Sequence, residues 1–233
     1  MGERKSCGTG RRGADKAAAL KGKREGTLTP PVASAPARLT QADRRARTRN
    51  ALLEATARGL SRHGYGNLVL GRVASEAGYS RGALYHLFAD KEELALAVVH
   101  WAEDTWYEEV GHLLVSEPHP VEALLAVARE SAVFSRRDVA RVLTTLRAEF
   151  EGRDHPIGEA VKQTVHRVVE DCARLIDAGR QSGALPPGPP PAALAVAYLG
   201  AIEGVTIFLA GQAPHDVVLA EQAARGILGL IST

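Results

Sequence analysis

The sequence predicts an all-α fold of about nine helices, with an N-terminal helix-turn-helix unit of three helices and a larger helical body behind it. Three observations carry that prediction. From about residue 40 onward almost every segment places its apolar residues at helical spacing. No run shows the strict apolar alternation of a half-buried strand. No repeat of fixed period is visible, which argues against a helical solenoid.

The elements follow in order. Thr40 suits the cap of a first helix that buries Ala46, Leu52, Leu53, Ala57 and Leu60 and stops at Gly64, which suits a left-handed position. A short second helix spans residues 68–77, with Asn67 standing in for its missing hydroxyl cap. Gly78 breaks it and Ser80 caps a third helix holding Leu84, Leu87 and Phe88. Ala89 and Asp90 open a long fourth helix that carries Leu94, Val98, Trp101, Thr105 and Trp106 and is ended by Pro118 and Pro120. Further helices are expected over residues 121–134, 137–150, 156–182, 191–210 and 215–230, the eighth announced by the prolines of 186–191.

Charge divides the same chain into three parts. Residues 1–39 carry nine Lys or Arg against three acids, residues 40–91 nine against four, and residues 92–233 eleven against twenty. The near-neutral total of +2 therefore hides a basic front and an acidic body, the asymmetry of a chain with one polyanion-binding end. Residues 1–39 lack aromatics and most large aliphatics, so they are read as a mobile basic arm, either a sequence-independent phosphate contact or a mere extension. Residues 40–91 are expected to form the helix-turn-helix unit and 92–233 a separate helical body.

Composition also excludes function classes. Cys7 and Cys172 are the only cysteines, which makes a structural disulfide unsupported and a cytoplasmic protein the default. The basic N-terminus has no apolar stretch of a secretory signal. Residues 191–211 are apolar enough to raise a membrane span, but Glu203 lies past their middle and no Lys or Arg flanks them, so a buried helix and no membrane partner are expected. No phosphate loop, metal-spaced cysteine pair, His-Glu-x-x-His or nucleophile elbow is present, and neither an enzyme activity nor a cofactor or metal is expected. Glu149, Glu151, Asp154 and His155 read as a solvated helix end.

The helix, glycine turn and short second helix within residues 68–88 have the spacing of a DNA-reading pair. With Leu84, Leu87 and Phe88 packed inward, Arg81, Gly82, Tyr85 and His86 face outward. The fork of Arg81 suits a guanine edge, while Tyr85 and Lys91 suit phosphates. Ser80 caps this helix at the end that favours phosphate.

The string Gly64-Tyr65, then residues 73–88 reading VASEAGYSRGALYHLF, then Asp90-Lys91-Glu92-Glu93-Leu94, resembles the TetR family of transcriptional regulators over residues 40–99. The resemblance implies double-stranded operator DNA, a twin subunit and a small-molecule effector as partners. It assigns Tyr85 and Lys91 to phosphates and places the small Gly82 and Ala83 where backbone meets DNA closely. The chain departs from the family pattern at Leu68-Val69, where the family has Thr or Ser, and Asn67 is the DNA-binding candidate expected to replace it.

For the body, the dimer face is expected on the two last helices through Tyr198, Gly200, Ala201, Gly204, Ala220, Ala224, Ile227 and Leu228. The effector is expected between the fourth helix and helices six to eight, against Trp101, Thr105, Phe150, His166, Val169 and Glu203. Glu203 either receives a cationic or hydroxyl-bearing ligand or pairs with Arg147 or Arg167. The expected function is a ligand-responsive repressor of a palindromic operator. A sequence-independent DNA-architectural protein and a small all-α enzyme are the alternatives.

Overall fold

The computed structural model describes residues 40–209 and 211–230. The predicted arm over residues 1–39 lies outside them, and so does Ile231 at the end of the last apolar run. The described residues hold nine helices and no strand: α1 (Gln41–His63), α2 (Leu70–Glu76), α3 (Arg81–Tyr85), α4 (Lys91–Trp106), α5 (Pro120–Phe134), α6 (Asp138–Phe150), α7 (Pro156–Gln181), α8 (Pro191–Phe208) and α9 (His215–Ile227). A π-helical turn (Tyr107–Gly111) and a last α turn (Leu113–Ser116) continue α4 with helical dihedrals at each junction.

Local chemistry sets these boundaries. Thr40 and Asp43 form a reciprocal capping box on α1. Asp90 caps α4 by accepting from the Glu93 N–H at 2.8 Å, and the Glu93 carboxylate accepts from the Ala89 N–H just before it. Proline opens α5, α7 and α8, where its missing N–H costs nothing. Gly78 leaves α2 at φ +78°, and the Tyr79 N–H closes the turn on the Ala74 carbonyl at 2.8 Å. Asn67 does not cap α2. Its amide donates to the His63 carbonyl at 3.1 Å, so it closes the end of α1, and Val69 holds the α2 cap position with no side-chain bond.

Two apolar cores form. The first joins Leu52, Leu53, Leu60, Val73, Leu84, Phe88, Leu94 and Val98 from α1–α4 with Val142, Leu146 and Phe150 of α6 and Ile157 and Val161 of α7. The second joins Leu124, Leu125, Phe134, Cys172, Ile176, Tyr198, Ile202 and Leu228 from α5, α7, α8 and the end of α9. Trp101 of α4 packs against both. Burial pushes the Cys172 thiol up to about 12, which leaves it an inert core residue.

The second core corrects half of the expected dimer face. Tyr198, Ala220, Ala224 and Leu228 are at most 2% exposed inside this chain, and the Tyr198 hydroxyl donates to the Leu124 carbonyl. They belong to the stripe that α8 and α9 turn inward. Outward lie Gly200 and Ile227, with Val196, Ile207, Val218 and Leu219, while Ala201 and Gly204 are half-buried. A helix apolar all round does not announce which stripe its own core takes, and α8 is one.

Candidate nucleic-acid interface and effector cavity

The outward face of α2 and α3 is built around a short, capped helix. The Ser80 hydroxyl accepts from the Ala83 N–H at 3.2 Å and fixes the first turn of α3. Leu84 and Phe88 are buried beneath it, which turns Arg81, Gly82, Tyr85 and His86 to the surface. The Arg81 guanidinium lies 5.8 Å from the centre of the Tyr85 ring, so the two side chains stack as one exposed unit. A Cβ on Gly82 would meet nothing nearer than the Ser80 hydroxyl at 3.7 Å, which leaves that backbone open to close approach.

Charge pairing separates this unit from the rest of the chain. Of the nine Lys and Arg in residues 40–91, Arg62 alone makes an ion pair with an acid among the described residues, reaching Asp138 at 3.5 Å. Arg44, Arg45, Arg47 and Arg49 stand exposed along the first turns of α1. Motif reading missed these four, although their i, i+1, i+3 and i+5 spacing was visible as charge. In residues 92–233, Arg129, Arg136, Arg137, Arg147, Arg167, Arg174 and Arg225 each hold a carboxylate.

Lys91 is placed differently from Arg81. Its ammonium lies 4.5 Å from the centre of the Tyr65 ring and donates to the Gly66 carbonyl at 3.1 Å. Tyr65 also packs on Phe150 and His155, with ring centres 5.5 and 5.8 Å away. Glu149, read from sequence as a solvated acid, accepts from the Tyr65 N–H at 2.6 Å and the Gly66 N–H at 2.7 Å. A Cβ on Gly64, at φ +72°, would sit 2.7 Å from that carboxylate. The turn after α1 is therefore clasped by the end of α6. Burial first, then the charges of Glu92, Asp90 and Glu149, hold the Tyr65 phenol above its usual pKa. Among the described residues no three His, Cys, Asp or Glu side chains group as a metal site.

Behind the first core, α4 to α8 line a half-open cavity of about 200 Å³. Its walls are mainly apolar, with Trp106, Phe134, Leu143, Val168, Leu199 and Ile202 prominent. Two ion pairs of the same design border it. Arg147 and Thr144 of α6 both donate to Glu203 of α8, at 2.6–2.7 and 2.9 Å. Arg167 and Thr164 of α7 both donate to Glu103 of α4, at 2.5–2.6 and 3.3 Å. Each pair ties two walls of the cavity together through a Thr-x-x-Arg face.

Of the six expected effector contacts, only Glu203 lines this cavity. Trp101 sits between the two cores, and the Thr105 hydroxyl turns back to the Trp101 carbonyl at 2.7 Å. Phe150, His166 and Val169 meet on a second groove with Val196, and His166 is exposed beside Glu170. The residues that replace them, Trp106 and Tyr107, lie just beyond on α4 where its backbone turns from α to π. The extra residue of a π turn rotates the side chains around it. A Cβ on Gly111 would sit 2.5 Å from the Tyr107 ring and 2.9 Å from the Trp106 ring, so glycine there makes room for both. The Tyr107 hydroxyl donates to Asp171 at 2.7 Å, and burial with that bond holds its pKa far above the usual value.

Comparison with known proteins places this architecture. Residues 52–98 match the model of bacterial regulatory proteins of the tetR family. The chain is 31% identical over 139 residues to the HTH-type transcriptional regulator CymR of Pseudomonas putida, a match covering 58% of this chain and 68% of that one. It is 28% identical over 137 residues to the HTH-type transcriptional repressor AcnR of Corynebacterium glutamicum, covering 55% and 69%. Among solved structures, the TetR-family regulator SCO4454 of Streptomyces coelicolor superposes with a TM-score of 0.67 at 20% identity, over 81% of this chain and 97% of that one. AibR, in complex with isovaleryl coenzyme A and operator DNA, gives 0.61 at 21% identity over 79% and 97%. These structures share the fold, and the CymR match carries the kinship: the chain belongs to the TetR family of bacterial transcriptional regulators.

Proposed function

We propose that the protein is a cytoplasmic, homodimeric repressor that binds a partly palindromic operator and releases it when a small molecule enters the α4–α8 cavity. The observation that carries the proposal is the exposed α2–α3 face, whose cations are left unpaired by the described acids while most of those in the body are paired. Arg81 reads a base edge, Tyr85 holds phosphate, and Ser80, Gly82, Ala83 and His86 flank the approach. Lys91 reaches phosphate only by leaving Tyr65, and otherwise positions the turn after α1. Residues 40–91 act as the reader and 92–233 as the sensing and dimerising body.

The dimer is supported by what the chain leaves uncovered. The window Pro191–Phe208 has a mean hydropathy of 1.6 yet is only 22% buried. With Val218, Leu219 and Ile227 of α9 it leaves large apolar side chains facing solvent, the kind of surface that marks an interaction site. A second copy covers it better than a bilayer does, because Glu203 in that helix is tied to Arg147 of α6. Two readers then stand about 34–36 Å apart, one turn of DNA, or a multiple of that. AcnR is named a repressor and AibR was solved with both a ligand and operator DNA, which supports the same scheme here.

Coupling is supported by α4, which starts beside the reader at Lys91 and reaches the cavity at Trp106. Ligand and DNA then weaken each other by the same factor. The test is a gel shift on the DNA upstream of the protein's own reading frame against random competitor. Retention in the presence of a large excess of competitor is the expected result. Binding no tighter than to the competitor would leave an architectural role and refute the operator.

A further inference from the structure

The polar groups around the α4–α8 cavity are unevenly used. Glu103 already accepts from Arg167 Nε and Nη2 and from the Thr164 hydroxyl. Glu203 already accepts twice from Arg147 Nη2 and once from the Thr144 hydroxyl. The Thr206 hydroxyl donates to the Glu203 carbonyl and the Ser135 hydroxyl to the Ala132 carbonyl. The Ser131 hydroxyl has no partner among the described residues, and Arg147 is the one cation of the cavity lining that is left partly free. Only its Nη2 is engaged, and among the described residues Nε and Nη1 have no partner, though the side chain lines the cavity and is 42% exposed. The wall therefore offers spare N–H donors of a guanidinium, while its two carboxylates are engaged and its remaining acceptors are neutral hydroxyl oxygens.

Taking this cavity as the effector site, as in the function proposed above, we propose that the effector is a compact, largely apolar molecule ending in a carboxylate that Arg147 receives through its free Nη1. A carboxylate brings only acceptors, and its bonds to a guanidinium are charge-assisted and stronger than neutral ones. An ammonium would find both carboxylates engaged and only neutral hydroxyl oxygens to accept its protons, and it would lie against the Arg147 charge. The apolar body follows from Trp106, Phe134, Leu143, Val168 and Leu199, and its size from a cavity of about 200 Å³, below the usual drug-sized range of about 300–1,000 Å³. A bound carboxylate also shares the Arg147 charge with Glu203, which loosens the tie between α6 and α8.

Three probes with one body and different heads test this: 4-phenylbutanoate, 4-phenylbutan-1-ol and 4-phenylbutylamine, titrated against the full chain by tryptophan fluorescence, since Trp106 lines the cavity. The carboxylate is expected to bind about tenfold or more tighter than the alcohol, with the amine weakest. Arg147→Lys keeps a cation for Glu203 but removes the free Nη1 donor, and should erase most of that preference while leaving the alcohol unchanged. Arg147→Gln should do the same. Tightest binding by the amine, a preference that survives both variants, or no saturable binding by any probe overturns the proposal. Leu143→Trp and Ser131→Phe fill the cavity and separate the two levels. Binding that persists in a folded filling variant refutes the cavity as the site. Binding lost there, with no head-group preference in the wild type, refutes the carboxylate alone.

Discussion

The reader and the body treat charge in opposite ways. In residues 40–91 the guanidinium of Arg81 rests on Tyr85, and those of Arg44, Arg45 and Arg47 stand exposed, with no carboxylate of the described residues taking them up. In the body, Arg136 holds Asp216 by two hydrogen bonds of 2.8–2.9 Å, Arg167 holds Glu103, and Arg147 holds Glu203. Unpaired surface cations contribute little to folding, and they are free to displace the counterions condensed on a polyanion. Paired ones fix helix against helix and shape a cavity. The same residue type thus builds an interface in one region and a scaffold in the other, and the difference is legible only once partners are known.

The largest effect should come from attacking the scaffold. Tyr198→Ala empties a fully buried site in the second core and removes the bond to Leu124. It should cost about 3–5 kcal/mol in thermal or denaturant unfolding. A shift below about 1 kcal/mol would mean that the residue faces a partner and not its own core. Next is the interface. Arg81→Ala should lower discrimination at one operator base pair by about 1–3 kcal/mol and leave the melting temperature unchanged. Equal loss on every sequence would reassign Arg81 to phosphate.

A smaller effect should fall where the two regions meet. Glu149→Gln keeps the shape but gives up the charge that receives the Tyr65 and Gly66 N–H groups. Operator affinity should fall by about 1 kcal/mol, with cavity binding of 4-phenylbutanoate unchanged. Loss of both would show that Glu149 supports the fold as a whole. The smallest effect is on pH. The Arg136 hydrogen bond, aided by the Val217 N–H, holds Asp216 below the usual aspartate value of 3.8. A depressed folded-state pKa contributes stability at pH above 3.8 that is lost as pH falls through the folded value. Asp216→Asn should therefore melt with a shallower dependence on acid than the wild type, and an identical acid limb would deny the pair a role.

The first four helices were legible because their punctuation is local. Thr40, Gly78, Ser80 and Asp90 act within a few residues of where they stand. The outward set of Arg81, Gly82, Tyr85 and His86 followed from one inward set on a five-residue helix. The body was legible as helices but not as a site. Trp101 and Trp106 are both aromatic at helical spacing, and only the π turn after Trp106 distinguishes the one that lines the cavity. Glu149 reaches a loop 84 residues away in sequence, a pairing no local pattern encodes. In α8 the apolar residues run all round, so periodicity could not separate Tyr198, turned inward, from Gly200, turned out.

The division of charge is tested most directly by the salt dependence of operator binding. The slope of log Kobs against log salt should fall by about 0.9 for each reader cation that contacts phosphate when Arg45→Gln and Arg47→Gln are made. Arg225→Gln, which removes a cation paired to Glu221 on its own helix, should leave the slope unchanged. Equal slopes for wild type and both reader variants, or a fall with Arg225→Gln, would contradict the account.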